Sequence, residues 1–381
     1  MNVAVVGGKL QGLEASYLAK KAGWQVALID RLDTVPALYV ADRHFCVEIM
    51  DKVALKRALK GTNLIIPAFE NMQALESLVE TASGMDIPCL FDISAYSISS
   101  SKMVSDQLFR RIGIPSPRYY PDCPFPLVAK PSGGSGSEGV VLIKDREELS
   151  QFSRSQRSGL GEWVVQEYLP GPTFSQEVIG FQGAFQALQI TDLEMDAGYD
   201  CKRVSAPTVL DENLQHIFTD ITCQIAAELN LNGVMDVEVV LSAGKLYVLE
   251  IDARLPSQTP SVVYHSSGQN LVALAGEALS NNRAPLQPKT GSCKHAVLEH
   301  LAVSPGVVSV SGEHVIAEAG PLNHVSGFFG SDEALTDYSP GKKNWVATLI
   351  NSASERAELD RKRRESLEQI CSQAGAVLVE G

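Results

Sequence analysis

The chain has 381 residues, 45% hydrophobic and 20% charged, with a formal net charge of −13. This is the composition of a globular protein with a substantial core, long enough for two or three domains. The acidic balance opposes general binding to nucleic acid or to an anionic membrane, and no apolar run approaches the ~20 residues that a membrane helix needs. Seven cysteines, at 46, 89, 123, 201, 223, 293 and 371, are scattered and form no C-x-x-C pair. They predict reduced thiols in a cytoplasmic protein and argue against a zinc site.

Residues 1–98 alternate strand and helix. "NVAVVG", "QVALID", "NLIIPAF" and "PCLF" read as strands, and the stretches around Leu13, "DKVALKRALK" and "NMQALESLVETAS" as helices. That order implies a parallel, doubly wound sheet. The first turn, "VVGGKLQG", approximates the dinucleotide fingerprint, with Asp30 where a ribose-binding acid would sit. Lys9 takes the place of the middle glycine and would block approach to a pyrophosphate, so a nicotinamide dehydrogenase is a weak reading. Two others stay open. The glycines serve packing, or the turn helps bind a small substrate at the carboxyl ends of the strands, which would bring Lys9, Gln11, Glu14, Glu70 and Asn71 near a ligand.

Residues 99–170 read as a small α+β lobe. A helix over 99–113 carries Lys102 at its start and ends at Gly113. Strands follow at "PLVAKP", "GVVLI" and "WVVQEYL". Between the first two lies "KPSGGSGSEG", a glycine-rich hairpin entered from Lys130. No G-K-[ST] follows, so it is not a Walker loop, but its backbone N–H groups and the lysine suit phosphate oxygens. Residues 171–381 form a mixed third unit. It contains the strands "FSQEVIGF" and "AFQALQIT", the helix "NLQHIFTDITCQIAAELN", the helix "NLVALAGEAL", a strand-rich tail and a charged helix near the end, expected to face solvent. Lys202 and Arg203, in "CKRVSAP", are candidates for an anion.

The most informative stretch is "GVMDVEVVLSAGKLYVLEIDARLP". It reads as a hairpin with Glu250, Asp252 and Arg254 on one face. A three-residue loop, Ala243 to Lys245, would set Glu238 opposite Glu250 and Asp236 opposite Asp252. A two-residue loop would shift the register by one and separate them, but would also place Glu238 on a face with Leu249 and Ile251, so patterning favours the first. Four carboxylates so placed repel one another unless some are protonated or bind cations. Oxygen ligands alone suit Mg²⁺.

Taken together, the sheet domain, Lys102, Lys130 with its glycine loop, "VVQEYLPGP", Glu238 and "LEIDARLP" resemble the ATP-grasp ligases in kind and order, over roughly residues 1–280. The resemblance implies the ATP-grasp fold behind an N-terminal Rossmann-like domain, with ATP and Mg²⁺ as cofactors and small-molecule amino-acid substrates. It implies that Lys102 and Lys130 hold the α- and β-phosphates, that Ser135 and Gly136 close over them, and that the backbone of Glu167 and Leu169 meets the adenine edge. Glu238, Glu250 and Asp252 would bind Mg²⁺, and Arg254 would face the transferred phosphoryl group. Substrate contacts fall to Lys9, Gln11, Glu70, Glu177, Arg203 and the loop Ser257–Ser261. Asp252 stands where the family often has Asn, and Thr173 where many members carry a ribose-binding acid. The implied reaction is amide formation through an acyl phosphate. Within the family, the overall likeness is to the branch serving pyrrolysine biosynthesis, which joins 3-methyl-D-ornithine to the side-chain amine of L-lysine. Acceptors such as bicarbonate or a nucleotide precursor, and a non-catalytic ATP sensor, remain alternatives. Oligomeric state is not legible.

Overall fold

Val3–Val6 and Val26–Ile29 are nearly continuous apolar runs, as strands covered on both faces require. In the computed structural model, which describes residues 1–134, 139–155, 163–284 and 293–380, they lie in a four-stranded parallel sheet. Its order is Arg43–Cys46, Gln25–Asp30, Asn2–Val6, Leu64–Pro67. The first of these strands, short and polar at its start, escaped the sequence reading. "PCLF" makes only one bridge, Cys89 to Ile65; Pro88 has no N–H to extend the ladder. The helix expected over 99–113 runs over Lys102–Ile112, and a separate helix, Ile93–Ser99, precedes it where none was expected. Asp92 caps this earlier helix by accepting from the Ser94 and Ala95 amides at 3.0 and 3.1 Å, and Ser101, with extended backbone, separates the two.

The glycine hairpin belongs to a three-stranded antiparallel sheet, Val141–Ile143, Leu127–Pro131 and Trp163–Glu167, with the helix Arg146–Ser155. Ser135 and Gly136 lie outside the described residues. The remaining strands form a twelve-stranded, mainly antiparallel sheet. "AFQALQIT" divides there into Ala184–Ala187 and Thr191–Met195. The supposed loop Ser257–Ser261 runs into a helix, Thr259–Ser267, opened by Pro260 at a position that favours helix starts. The charged helix Arg356–Ala374 is mostly solvated, but Arg363 turns inward to Glu299 at 2.8 Å. No described helix is long and apolar enough to cross a membrane.

Three strands at one end of the large sheet position the site: Thr173–Phe181, Gly233–Ser242 and Lys245–Asp252. One face packs Val237, Val239, Leu246, Val248 and Ile251 into a core with Phe218 and Ile225 of the helix Glu212–Glu228. The hairpin turn between the last two strands is not the three-residue loop expected. Ser242 pairs with Lys245 around Ala243 and Gly244, whose φ values of 49° and 77° mark a two-residue turn. That turn alone would set Glu238 opposite Leu249. A β-bulge at Leu249 instead restores Glu238 to Glu250 and Asp236 to Asp252. The bulge also switches the inward-facing set, from Leu246 and Val248 before it to Ile251 and Ala253 after it. The expected pairing is present, reached by a different backbone route.

Deleting Leu249 removes the extra residue and leaves a regularly alternating strand that still faces Val248 and Ile251 inward and still pairs Glu238 with Glu250 and Asp236 with Asp252. The expected outcome is a melting temperature by circular dichroism close to that of wild type, whereas Ile251→Asp, which buries an unpaired carboxylate in the core at a cost of several kcal/mol, melts far lower.

Candidate functional site

Strand pairing arranges the acids as a grid. Ser175, Glu238 and Glu250 form one row across the three strands, and Glu177, Asp236 and Asp252 form the next. Like charges on directly paired residues repel, and three cations from different elements answer them. Lys102 Nζ lies 3.0 Å from Glu250 and donates to the Gly134 carbonyl at 2.7 Å. Lys130 Nζ donates to the carbonyl of Leu249, the bulged residue, at 3.1 Å. Arg254 bridges Asp252 at 2.7 Å and Glu70 at 3.0 Å. Lys102 opens its helix against the glycine hairpin. Its amide donates to the Ser132 carbonyl at 2.8 Å, and the next amide donates to the Ser132 hydroxyl at 3.2 Å.

Burial and these neighbours set the protonation states. Burial pushes Glu250 upward, but Lys102 and Lys130 outweigh it and hold its carboxyl below the usual range. Glu238 is pushed up to about 8 by burial, reinforced by Glu250 and Glu313. Burial raises Asp252 to about 6 despite Arg254, and drives Asp236 well above an ordinary aspartate. Burial lowers Lys130, an effect Glu250 partly offsets. Such a grid has more carboxylate than its own cations neutralise, and the buried Asp252 Oδ1 lacks a hydrogen-bond partner. The oxygen-only donor set of Glu238, Glu250 and Asp252 therefore fits a hard divalent cation.

The other expected residues divide. Gln11 donates to Glu70 at 2.9 Å, tying the N-terminal turn to Arg254, whereas Lys9 is exposed just before the helix Leu10–Lys21. Ser257 lines the cleft and donates to Glu313 at 3.0 Å. The Ser261 amide donates to Glu14 at 2.7 Å. Glu177 is fully buried beside Asp236. Glu167 ends a strand of the small sheet with its carboxylate gripped by Arg118 at 2.7 Å, and Leu169 follows it, half-buried. Arg203 is not brought into the cleft. Its guanidinium is taken up by Glu194 at 2.5 Å and by the buried Glu299 at 3.2 Å, and Lys202 also meets Glu194, at 3.3 Å.

Two acids at the cleft went unassigned in the sequence. Asp236 was placed by register but given no role, and Glu313, which accepts from the side-chain amide of Gln258, had no readable signal. Glu14, set near a ligand by one open reading of the N-terminal turn, is buried and accepts from the Ser261 amide. The N-terminal glycines are explained by packing: a Cβ on Gly8 would lie 2.3 Å from Val35, and one on Gly12 would lie 2.0 Å from the Gly7 carbonyl. Asp30 accepts from the Gly8 and Leu32 amides at 2.7 and 2.9 Å and so holds the turn itself.

Residues 99–258 match the ATP-grasp domain family. The chain is 34% identical over 378 residues to the 3-methyl-D-ornithine–L-lysine ligase of Methanosarcina barkeri, covering 99% of each chain. Among solved structures it is similar to an ADP complex of N5-carboxyaminoimidazole ribonucleotide synthetase, with a TM-score of 0.72, 16% identity and coverage of 98% and 97%. It is also similar to an L-amino acid ligase from Bacillus licheniformis, with a TM-score of 0.67, 18% identity and coverage of 97% of each chain. At these identities, the two structures show a shared fold.

Burial lifts Glu14 and Glu177 each to about 7. The folded protein thus binds their protons more tightly than the unfolded chain, so the stability they contribute is complete below the ordinary carboxyl range and is lost as pH rises through about 7. The ligand-free protein should lose on the order of a few kcal/mol between pH about 5 and about 8, read as a falling melting temperature. The double variant Glu14→Gln/Glu177→Gln should flatten that slope.

Proposed function

The chain belongs to the family of the 3-methyl-D-ornithine–L-lysine ligases, enzymes built on the ATP-grasp domain, and on that premise we propose that its cleft joins the carboxylate of 3-methyl-D-ornithine to the side-chain amine of L-lysine, converting ATP to ADP and phosphate. The observation that carries this reading is the meeting of Lys102 and Lys130 with Glu250 at the edge of the acid grid. Phosphate-binding cations and cation-binding acids stand within one ion pair of each other.

An amine and a carboxylate do not condense usefully in water. In this reading the substrate carboxylate attacks the γ-phosphorus of ATP, and the amine then displaces phosphate from the acyl phosphate. The protein contributes position and charge. Lys102 and Lys130 hold phosphate oxygens, the backbone of Glu167 and Leu169 receives the adenine, and the glycine hairpin with Ser135 and Gly136 covers the phosphates against water. Arg254, fixed between Asp252 and Glu70, stabilises the transferring phosphoryl group. Glu238, Glu250 and Asp252 hold Mg²⁺, which when bound neutralises phosphate charge. Gln11, Glu70 and Ser257 border the substrate side, with Lys9 at its outer edge. Thr173 donates its hydroxyl hydrogen to the Leu193 carbonyl at 3.2 Å, which leaves its oxygen able to accept from one ribose hydroxyl.

Nucleotide and metal binding are coupled in this arrangement. In the ligand-free protein Lys102 is the partner of Glu250. With three N–H donors, Lys102 would turn from Glu250 toward phosphate oxygens, and Glu250, with Glu238 and Asp252, would hold the cation. Residues 1–98, 99–170 and 171–381 act as three units around this exchange. The free thiols suit a reducing cytoplasm, and the acidic surface suits small substrates rather than nucleic acid or membrane.

Incubated with MgATP, 3-methyl-D-ornithine and L-lysine, the protein should form ADP, phosphate and one amide product of the summed mass less water. A carboxylated product from bicarbonate would favour the alternative acceptor. Glu250→Ala should reduce ADP formation by at least about 10³-fold with little change in melting temperature. An active Glu250→Ala enzyme would remove that residue from the metal site. Chelating Mg²⁺ should weaken ATP binding far more in wild type than in Glu250→Ala.

A further inference from the structure

The two lysines of the phosphate site come from different elements. Lys102 opens the helix Lys102–Ile112, and Lys130 lies on the central strand of the three-stranded sheet. A buried carboxylate that the phosphate and metal chemistry does not use ties these elements together. Asp106 follows Lys102 by about one helical turn, on the same face, and is 2% exposed. Its Oδ2 accepts from the Tyr119 hydroxyl at 2.5 Å and from the Gln166 side-chain amide at 2.7 Å. Tyr119 lies on the segment that enters the small sheet, and Gln166 on the strand by which the chain leaves it. The two residues face each other in an antiparallel bridge. On either side of it the Tyr120 amide donates to the Val165 carbonyl at 3.0 Å, and the Glu167 amide to the Arg118 carbonyl at 2.9 Å. One carboxylate oxygen thus grips both connecting segments. One turn farther along the helix, the Arg110 guanidinium lies over the Tyr119 ring, 4.3 Å from its centre.

Resting on the ligase reading above, we propose that Asp106 is a positioning residue for ATP: by holding Tyr119 and Gln166 together against the Lys102 helix, it sets the small sheet at the angle that presents Lys130 to the same phosphates as Lys102. The strand register supports this. Lys130 pairs with Val164 and Val128 with Gln166, so the side chains of Lys130 and Gln166 share one face of the small sheet. Asp106 therefore holds the face that carries the lysine, and the two charges are close enough to interact. Burial lowers Lys130, and Asp106 adds to Glu250 in offsetting it. The helix also meets the small sheet at a second place, through the Lys102 and Met103 amides at Ser132. Two separated attachments to one rigid helix fix an orientation that a single attachment leaves free. Precision matters here, because a displacement of about 1 Å at a reacting group can cost about 10²-fold in rate. A buried carboxylate is also costly, and an apolar side chain at this position would pack without that cost but could not grip both segments.

The test measures MgATP binding by calorimetry without amino acids, steady-state constants with MgATP, 3-methyl-D-ornithine and L-lysine, and melting temperature. Asp106→Ala removes both hydrogen bonds. It should raise the Kd for MgATP and the KM for ATP by about tenfold or more. The KM for either amino acid should stay unchanged, and kcat at saturating ATP should stay within about threefold of wild type. Asp106→Asn, which keeps an acceptor oxygen and loses the charge, should restore part of the ATP affinity. Tyr119→Phe should weaken ATP binding less, and should add little to Asp106→Ala, because both act through one contact. Phe109→Leu, at a fully buried position of the same helix, should lower the melting temperature and leave the KM for ATP unchanged. If Asp106→Ala fails to fold by thermal melting, Tyr119→Phe and Gln166→Leu carry the same comparison. Unchanged ATP affinity in the folded variants, an equal rise in the KM for the amino acids, or a Phe109→Leu enzyme whose KM for ATP rises with its loss of stability would overturn the proposal. A wild type that binds no MgATP and forms no ADP with these amino acids would overturn the ligase reading instead.

Discussion

Acidic side chains on adjacent paired strands can coexist in a buried face only if cations are brought to them, and the architecture around the cleft follows from that constraint. Removing a carboxylate from water costs several kcal/mol unless it is paired or protonated. The compensating charges are not local. Lys102 begins a helix, Lys130 lies on the central strand of the small sheet, and Arg254 follows the acidic strand and is shared with Glu70 from the end of an N-terminal strand. All three sheets therefore converge on one set of charges. The balance is deliberately incomplete in physical terms: Glu238 and Asp236 are lifted toward their protonated forms, leaving a place where an incoming cation gains more than it would in water.

The apolar side of the same strands makes that face possible. Val237, Val239, Val248 and Ile251 are essentially fully buried, and their packing pins the register that sets the acids opposite one another. The bulge at Leu249 reconciles two demands that a regular strand cannot meet. Before it, the second strand must face Leu246 and Val248 inward to close the hairpin; after it, Ile251 must face inward so that Glu250 and Asp252 face the cleft. The bulged residue then presents its carbonyl to Lys130, so one backbone irregularity serves both packing and charge.

Away from the cleft, polar networks fasten the elements that carry the site. The helix Leu10–Lys21 carries Glu14 on the cleft side and Tyr17 farther along; the helix Thr259–Ser267 carries Ser261 and His265 in the same relation. Tyr17 meets His265 at 2.6 Å and donates to Glu333 at 2.8 Å, and Lys21 adds an ion pair to Glu333 at 2.5 Å. The hold at the far ends of both helices fixes the contact between Glu14 and Ser261 at the near ends. Arg203, Glu299 and Arg363 perform a similar task deeper in the large sheet, where a buried carboxylate is shared by two guanidinium groups. Arg203 looked like an anion ligand because its charge was visible in the sequence and its partner, 96 residues away, was not.

Local pattern was enough for much of this protein. The parallel N-terminal sheet, the glycine hairpin entered from Lys130 and the acidic hairpin were legible because period, glycine placement and charge alternation are properties of neighbouring residues. The acids Glu238, Glu250 and Asp252 could be singled out for the same reason. What the chain alone left undetermined depends on contacts distant in sequence. A turn of two residues plus a bulge gives the same acid pairing as a turn of three, and only the packing of Val248 and Ile251 against the core chooses between them. Glu14, Glu177 and Glu313 come from three separate segments. Their convergence arises when the helices and strands dock, because burial and the loss of water partners are created by the fold rather than by any one stretch of sequence.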